Sequence, residues 1–157
     1  MNGRRNLGTG SLLQFFLLAA LGVSLPVMAQ TTVEKAWVRA TVPGQPSTGA
    51  FMKVTSTDDA KLVEVRSDVA RSVQIHRSTM QHEVMRMEPV ENVPLPPGKM
   101  VSFDPDGYHV MLMDLKAQIR AGDVVPLVLV VQTPSGAQEL IPVRAEARPL
   151  DAADASK

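Results

Sequence analysis

Residues 72–88, Ser72-Val73-Gln74-Ile75-His76-Arg77-Ser78-Thr79-Met80-Gln81-His82-Glu83-Val84-Met85-Arg86-Met87-Glu88, alternate side chains in a period of two on either side of a short polar break. That period marks a strand, because successive side chains leave a strand on opposite faces. Ser72–Arg77 reads as one strand, with Val73 and Ile75 on one face and Gln74 and His76 on the other. Ser78-Thr79-Met80-Gln81 is short and polar enough to be the hairpin loop. His82–Glu88 returns as a strand in which Glu83, Met85 and Met87 share a face, opposite Val84 and Arg86.

The same pattern extends outward in both directions. Upstream, Val33–Ala40 and Gly49–Thr55 are β-rich runs divided by the turn cluster Pro43-Gly44-Gln45-Pro46-Ser47. Lys61–Arg66 alternates as a half-buried strand. Downstream, Pro89–Lys99 holds four prolines and Gly98 and is expected to be an irregular connection, since proline cannot serve a central ladder. Met100–Phe103 is a short strand, Asp104-Pro105-Asp106-Gly107 a strong turn, and Tyr108–Leu115 the next strand. Val124–Gln132 is nearly all apolar, the pattern of a strand buried on both faces, and Glu139–Ala145 closes the set. A short helix near Ala117–Arg120 is a weak alternative to loop. Eight or nine short strands with frequent turns imply an all-β fold, an antiparallel β-sandwich of Greek-key type with one domain over residues 30–146.

The ends read differently. Arg4 and Arg5 precede an apolar run from Leu12 to Leu25, and Val27-x-Ala29 fits a cleavage site, so residues 1–29 read as a signal peptide. The apolar run is interrupted and shorter than the ~20 residues of a membrane-spanning helix, and no stop-transfer pattern supports the rival reading of a retained anchor. No cysteine follows Ala29 to accept a lipid. The expectation is export to the periplasm, a mature chain without stable membrane insertion, and a monomer. The tail from Glu146 to Lys157 is Ala/Asp-rich without periodicity, and 147–157 is expected to be frayed or disordered.

Charge narrows the partners. Losing Arg4 and Arg5 would leave 14 basic against 16 acidic residues, and no basic run offers a phosphate-binding stripe, so nucleic acid is not expected to bind. The chain has no cysteine, although an exported domain could use disulfides.

Without cysteine, a soft metal can be held only by imidazole and thioether. The window His76–Met111 holds all three histidines and five of the nine methionines. His109 and Met111 are two apart on a strand and point the same way, and Met87 and His76 lie on neighbouring strands. A thioether-rich, uncharged donor set selects Cu(I) over harder divalent ions, holds zinc poorly, and lacks the thiolate of a blue-copper site. Methionine is also the adaptable filler of cores, so Met52, Met100 and Met113 read as packing and His82 as a surface residue. Met80 and Met85 are left as accessory candidates.

The spacing carries a resemblance. His76, ten residues, Met87, twenty-one residues, His109, one residue, Met111 is similar to the H-x10-M-x21-H-x-M motif of the PCu(A)C family of periplasmic copper chaperones. Ala36-Trp37-Val38-Arg39-Ala40-Thr41, Gly49-Ala50-Phe51-Met52, Val84-Met85-Arg86-Met87, Gly107-Tyr108-His109-Val110-Met111-Leu112-Met113 and Gly122-Asp123-x-x-Pro126-Leu127 resemble that family's other segments. The resemblance spans Val33 to Val143. It implies a cupredoxin-like β-sandwich that binds one Cu(I) per chain through His76, Met87, His109 and Met111. It also implies delivery of copper toward the CuA site of cytochrome c oxidase subunit II, beside a Sco-type copper protein. Many members carry a His- and Met-rich C-terminal extension; Arg148–Lys157 has neither residue type, which argues against a second copper there.

No nucleophile–base–orienter set is visible, so an enzyme is not expected. The main rival is a copper-sequestering or resistance protein, which would use the same ligands. A copper oxidase or monooxygenase would need donors acceptable to Cu(II) as well, against which two thioethers weigh. An extracellular β-sandwich interaction module with incidental His and Met is the remaining alternative.

Overall fold

The computed structural model describes residues 30–149, and all the regular structure there is β-strand. The expectations for residues 1–29 and for 150–157 lie outside the described residues. Ten strands follow in chain order: β1 (Thr31–Arg39), β2 (Ser47–Ser56), β3 (Ala60–Arg66), β4 (Ala70–Gln81), β5 (Val84–Pro89), β6 (Val93–Leu95), β7 (Met100–Phe103), β8 (Tyr108–Leu115), β9 (Val124–Gln132) and β10 (Gln138–Arg148). They pair in the order β5-β4-β8-β7-β2-β1-β10-β9-β3-β6, with β8 also pairing β2. β3 and β4 stand far apart in that order yet touch, because the sheet folds over a shared core. Ile75, Val110 and Leu112 from one side meet Leu62, Leu129 and Val131 from the other in a single buried cluster. The all-β sandwich is therefore as expected from the alternation.

It is not wholly antiparallel. β1 pairs β10 in parallel, and β7 pairs β8 in parallel. The first of these joins the two ends of the described chain, where no tight turn is needed to bring the strands together.

Several boundaries differ from the sequence reading, each for a local reason. Residues 78–81 are strand, not loop, and the β4–β5 turn is His82-Glu83, with φ of 50° and 63°. Ser78 is polar because its hydroxyl donates to the Pro105 carbonyl (3.0 Å) and its N–H to the Gly107 carbonyl (2.9 Å). Its polarity therefore answers a partner on the neighbouring turn. In β3, Val63 is an extra residue: Leu62 pairs Val131 while Glu64 pairs Val130. That bulge lets Leu62 and Val65 both enter the core, which strict alternation forbids. The Pro-rich connection contains β6 on the sheet edge, where Val93 and Leu95 are fully buried and Pro94 faces out.

β9 is buried on both faces only in its second half; Val124 and Pro126 are exposed. Residues 117–120 form no helix, since Ile119 is held by Thr41 through bonds of 2.8 Å and 3.0 Å. β10 runs to Arg148, beyond the expected end at Ala145, because Val38 pairs Ala147 and the small side chains of Ala145 and Ala147 fit the core.

Candidate metal centre

The register of β4, β5 and β8 builds the site. His76 on β4 stands directly opposite His109 on β8. One step of two residues along the same face, Gln74 stands opposite Met111; one step the other way, Ser78 stands opposite Met87 on β5. Directly opposed and alternate residues share a face, so His76, Met87, His109 and Met111 all lie on the face turned away from Ile75, Val110 and Leu112. The two histidines are the middle rung, and each methionine occupies a rung on one side of it. The imidazole rings are 5.8 Å apart between centroids, with planes at 67°.

Met87, His109 and Met111 line one cleft of about 230 Å³, whose walls include Arg39, Phe51 and Pro105. His76 adjoins it through the His109 ring. Phe51 is held by Trp37, centroid to centroid 4.5 Å, and the Arg39 guanidinium lies 5.6 Å from its ring. Gly49, opposite Met111, makes room for that ring: a Cβ there would lie 2.7 Å from Phe51 Cζ.

The turn Asp104-Pro105-Asp106-Gly107 is a second support. Asp104 Oδ1 accepts the Asp106 N–H (3.1 Å), and Ser78 bonds both Pro105 and Gly107. This fixes the Gly107 carbonyl, which accepts the His109 Nδ1–H at 3.3 Å. A neutral His109 therefore carries its lone pair on Nε2, and that atom is buried without a hydrogen-bond partner. An orphaned buried nitrogen costs stability unless something else binds it. His76 is arranged the other way round. Its Nε2–H donates to Gln74 Oε1 (2.9 Å), leaving Nδ1 as the lone pair. Burial first, and then the charge of His109, lower the His76 pKa from its ordinary value, favouring the neutral form that can ligate.

The remaining soft residues are spread by burial. His109 is 3% exposed and Met111 half-buried, whereas Met87 is 55% exposed at the open side of the cleft. Met80 and Met85 oppose each other one rung beyond Met87, both exposed. Met52 is core as expected and Met113 half-buried, but Met100, read as packing, is exposed. His82 sits exposed in the turn. Among the described residues, no group of three or more His, Asp or Glu side chains gathers as a site for a harder ion. The donors present, two imidazoles and two thioethers, fit a soft monovalent ion. Sequence reasoning missed Ser78, Arg39, Phe51 and Pro105 as walls or supports; only the Asp-Pro-Asp-Gly turn carried a signal for any of them.

Comparisons with known proteins bear on the family and the fold. The family model described as "Putative lipoprotein LpqE-like" matches residues 31–143. A protein of Leifsonia xyli subsp. xyli (strain CTCB07), named "Putative lipoprotein Lxx21020", is 30% identical over 136 residues, covering 81% of this chain and 82% of its own. This chain has no cysteine. Among solved structures, the copper-bound PCuAC domain from PmoF2 superimposes with a TM-score of 0.61 at 24% identity, covering 76% of this chain and 93% of that one. The solution structure of CuI-DR1885 from Deinococcus radiodurans superimposes with a TM-score of 0.55 at 27% identity, covering 83% and 85%. The fold is thus the all-β, cupredoxin-like sandwich of PCuAC domains.

Proposed function

This chain belongs to the LpqE-like family, and we propose that it is a copper carrier, binding one Cu(I) through His76 Nδ1, Met87, His109 Nε2 and Met111. The observation that carries this reading is the buried, unpartnered Nε2 of His109 in the cleft that Met87 and Met111 also line. The copper-bound state of two similar domains supports the choice of metal. All four donors are neutral, so Cu(I) enters and leaves without proton release from a ligand at neutral pH, which suits handling one oxidation state. The half-exposed Met87 favours transfer over storage, because an incoming ligand can displace it first. The residues perform no bond-making chemistry: they bind, orient and release.

Within that role, the protein acts in the periplasm as a monomer and hands copper toward the CuA site of cytochrome c oxidase subunit II, directly or through a Sco-type copper protein. The partners rest on the resemblance of the His-Met spacing, and gene deletion tests them: oxidase activity under copper limitation should fall. The site itself is tested by competition with a Cu(I) chelator on wild type, His109→Ala and Met111→Ala. Both variants should lose affinity; unchanged affinity in both removes the site assignment.

A further inference from the structure

We propose that Met80 and Met85 form a second, weaker Cu(I)-docking point at the tip of the β4–β5 hairpin, through which the ion passes to and from the inner four-ligand site. The inference rests on the copper reading above and adds a site that reading does not contain.

Register carries the argument. Met80 stands directly opposite Met85, Ser78 opposite Met87, and His76 opposite Pro89. These are successive rungs of one face, each about 7 Å from the next along the strand. Soft donors thus run without a break in face from the hairpin tip inward: the Met80/Met85 pair, then Met87, then the His76/His109 pair. The two-residue turn His82-Glu83 fixes that register. Opposed side chains on such a ladder have Cβ atoms about 5 Å apart, within reach of two thioethers sharing one ion.

Exposure points the same way. Met80 is 65% exposed, Met85 46% and Met87 55%. Of the eight large apolar residues that are exposed among the described residues, these three and Val84 fall within one hairpin. A core filler would be covered, and isolated surface apolar residues would not line up on one face. Thioethers are also adaptable, unbranched donors, so Met87 can turn toward either neighbouring rung.

The chemistry balances simply. Each step exchanges one neutral donor, thioether or imidazole, for another on an ion that stays Cu(I); no electron and no proton moves. Two thioethers hold the ion less firmly than two imidazoles and two thioethers, so the gradient runs inward during loading. A partner that presents stronger ligands at the tip reverses it during delivery.

The test is methionine-methyl NMR of the full chain, titrated with silver nitrate as a redox-inert stand-in for Cu(I). In wild type, the first equivalent should shift the Met87 and Met111 methyls, and further Ag(I) should shift Met80 and Met85 in fast exchange. In H109A/M111A, where the inner site is broken, Met80 and Met85 should still respond. In M80L/M85L, where the inner site is intact, uptake from a Cu(I)–chelator complex slows. Silent Met80 and Met85 methyls in both wild type and H109A/M111A overturn the proposal, as does an uptake rate in M80L/M85L equal to wild type. Met80 and Met85 responding while Met87 and Met111 do not would keep this docking point and remove the inner-site reading instead.

Discussion

His76 and His109 face each other across β4 and β8 with their ring centroids 5.8 Å apart, and each uses one ring nitrogen to bind the protein, leaving the other free. The two are fixed by different nitrogens. Gln74 takes Nε2 of His76, and Gly107 takes Nδ1 of His109. Such support from behind is what holds a ligating imidazole in one tautomer and one orientation.

That relationship separates stability from function at His109. In His109→Leu the Gly107 carbonyl keeps its bond from the Ser78 N–H, and the orphaned Nε2 disappears. The metal-free variant should match wild-type stability to within about 1 kcal/mol, while Cu(I) affinity falls by at least about 100-fold, more than loss of a supporting group alone would cost. Urea unfolding of the apo protein and chelator competition on the same samples check both halves.

The pH response should report His76. Its pKa lies below the ordinary imidazole value near ~6.5. The unfolded chain therefore takes up a proton before the folded one does, so the stability tied to a neutral His76 is complete above about pH 6.5 and is lost as pH falls through the lowered folded value. Cu(I) affinity should follow the same order, holding slightly below pH 6.5 and then weakening as His76 protonates. In His76→Asn the apo melting temperature should fall less between pH 7 and 5 than in wild type; parallel profiles in the two proteins contradict the assignment.

How much of this was legible beforehand depends on the type of clue. Face-sharing was legible, because a period of two is local: His109 with Met111, and His76 with Gln74, follow from spacing alone. Register was not, since one inserted residue changes it, and neither the bulge at Val63 nor the position of the β4–β5 turn leaves a mark in composition. Ser78 misled because a polar side chain suggests a loop unless its partner, here the Pro105 carbonyl 27 residues away, is known. Ala147 misled in the opposite sense, as a small residue in an Ala/Asp-rich run that proves to be buried in β10. Phe51 was invisible as a cleft wall because β2 is buried on both sides, with Ala50 and Met52 facing the core and Phe51 facing Trp37.

Gly49→Ala should damage the site from behind. The new Cβ would meet Phe51 Cζ at 2.7 Å, and the ring cannot swing freely because it is buried against Trp37. Overpacking of this kind costs about 1–3 kcal/mol, and the displaced ring presses on the cleft beside Met111. The expected result is a lower denaturation midpoint together with weaker Cu(I) binding. Wild-type values for both would mean that β2 yields more easily than its packing suggests.

Methionine-to-leucine substitution should sort filler from ligand. Leucine nearly conserves volume, so Met52→Leu in the core should cost under about 1.5 kcal/mol and leave Cu(I) binding intact. Met87→Leu, on an exposed strand, should leave stability unchanged and lower Cu(I) affinity. Equal affinities for the two variants would place Met87 outside the first coordination sphere.

Oxidation offers a test on the unmodified protein. Conversion of a thioether to a sulfoxide replaces a soft sulfur donor with a polar, harder group, and its rate follows exposure. Met87, 55% exposed, should therefore oxidise before Met111, and Met52, 2% exposed, should resist longest. Sulfoxide at Met87 should abolish tight Cu(I) binding, and a methionine sulfoxide reductase should restore it. Bound metal adds a second prediction, because coordination occupies the sulfur lone pair that the oxidant attacks. Prior loading with Ag(I) should protect Met87 and Met111 from peroxide while leaving exposed Met100 unprotected. Peptide mapping by mass spectrometry reads each methionine separately. Protection of Met100 to the same degree as Met87 would show that the metal acts by covering the surface in general, and not by occupying the cleft.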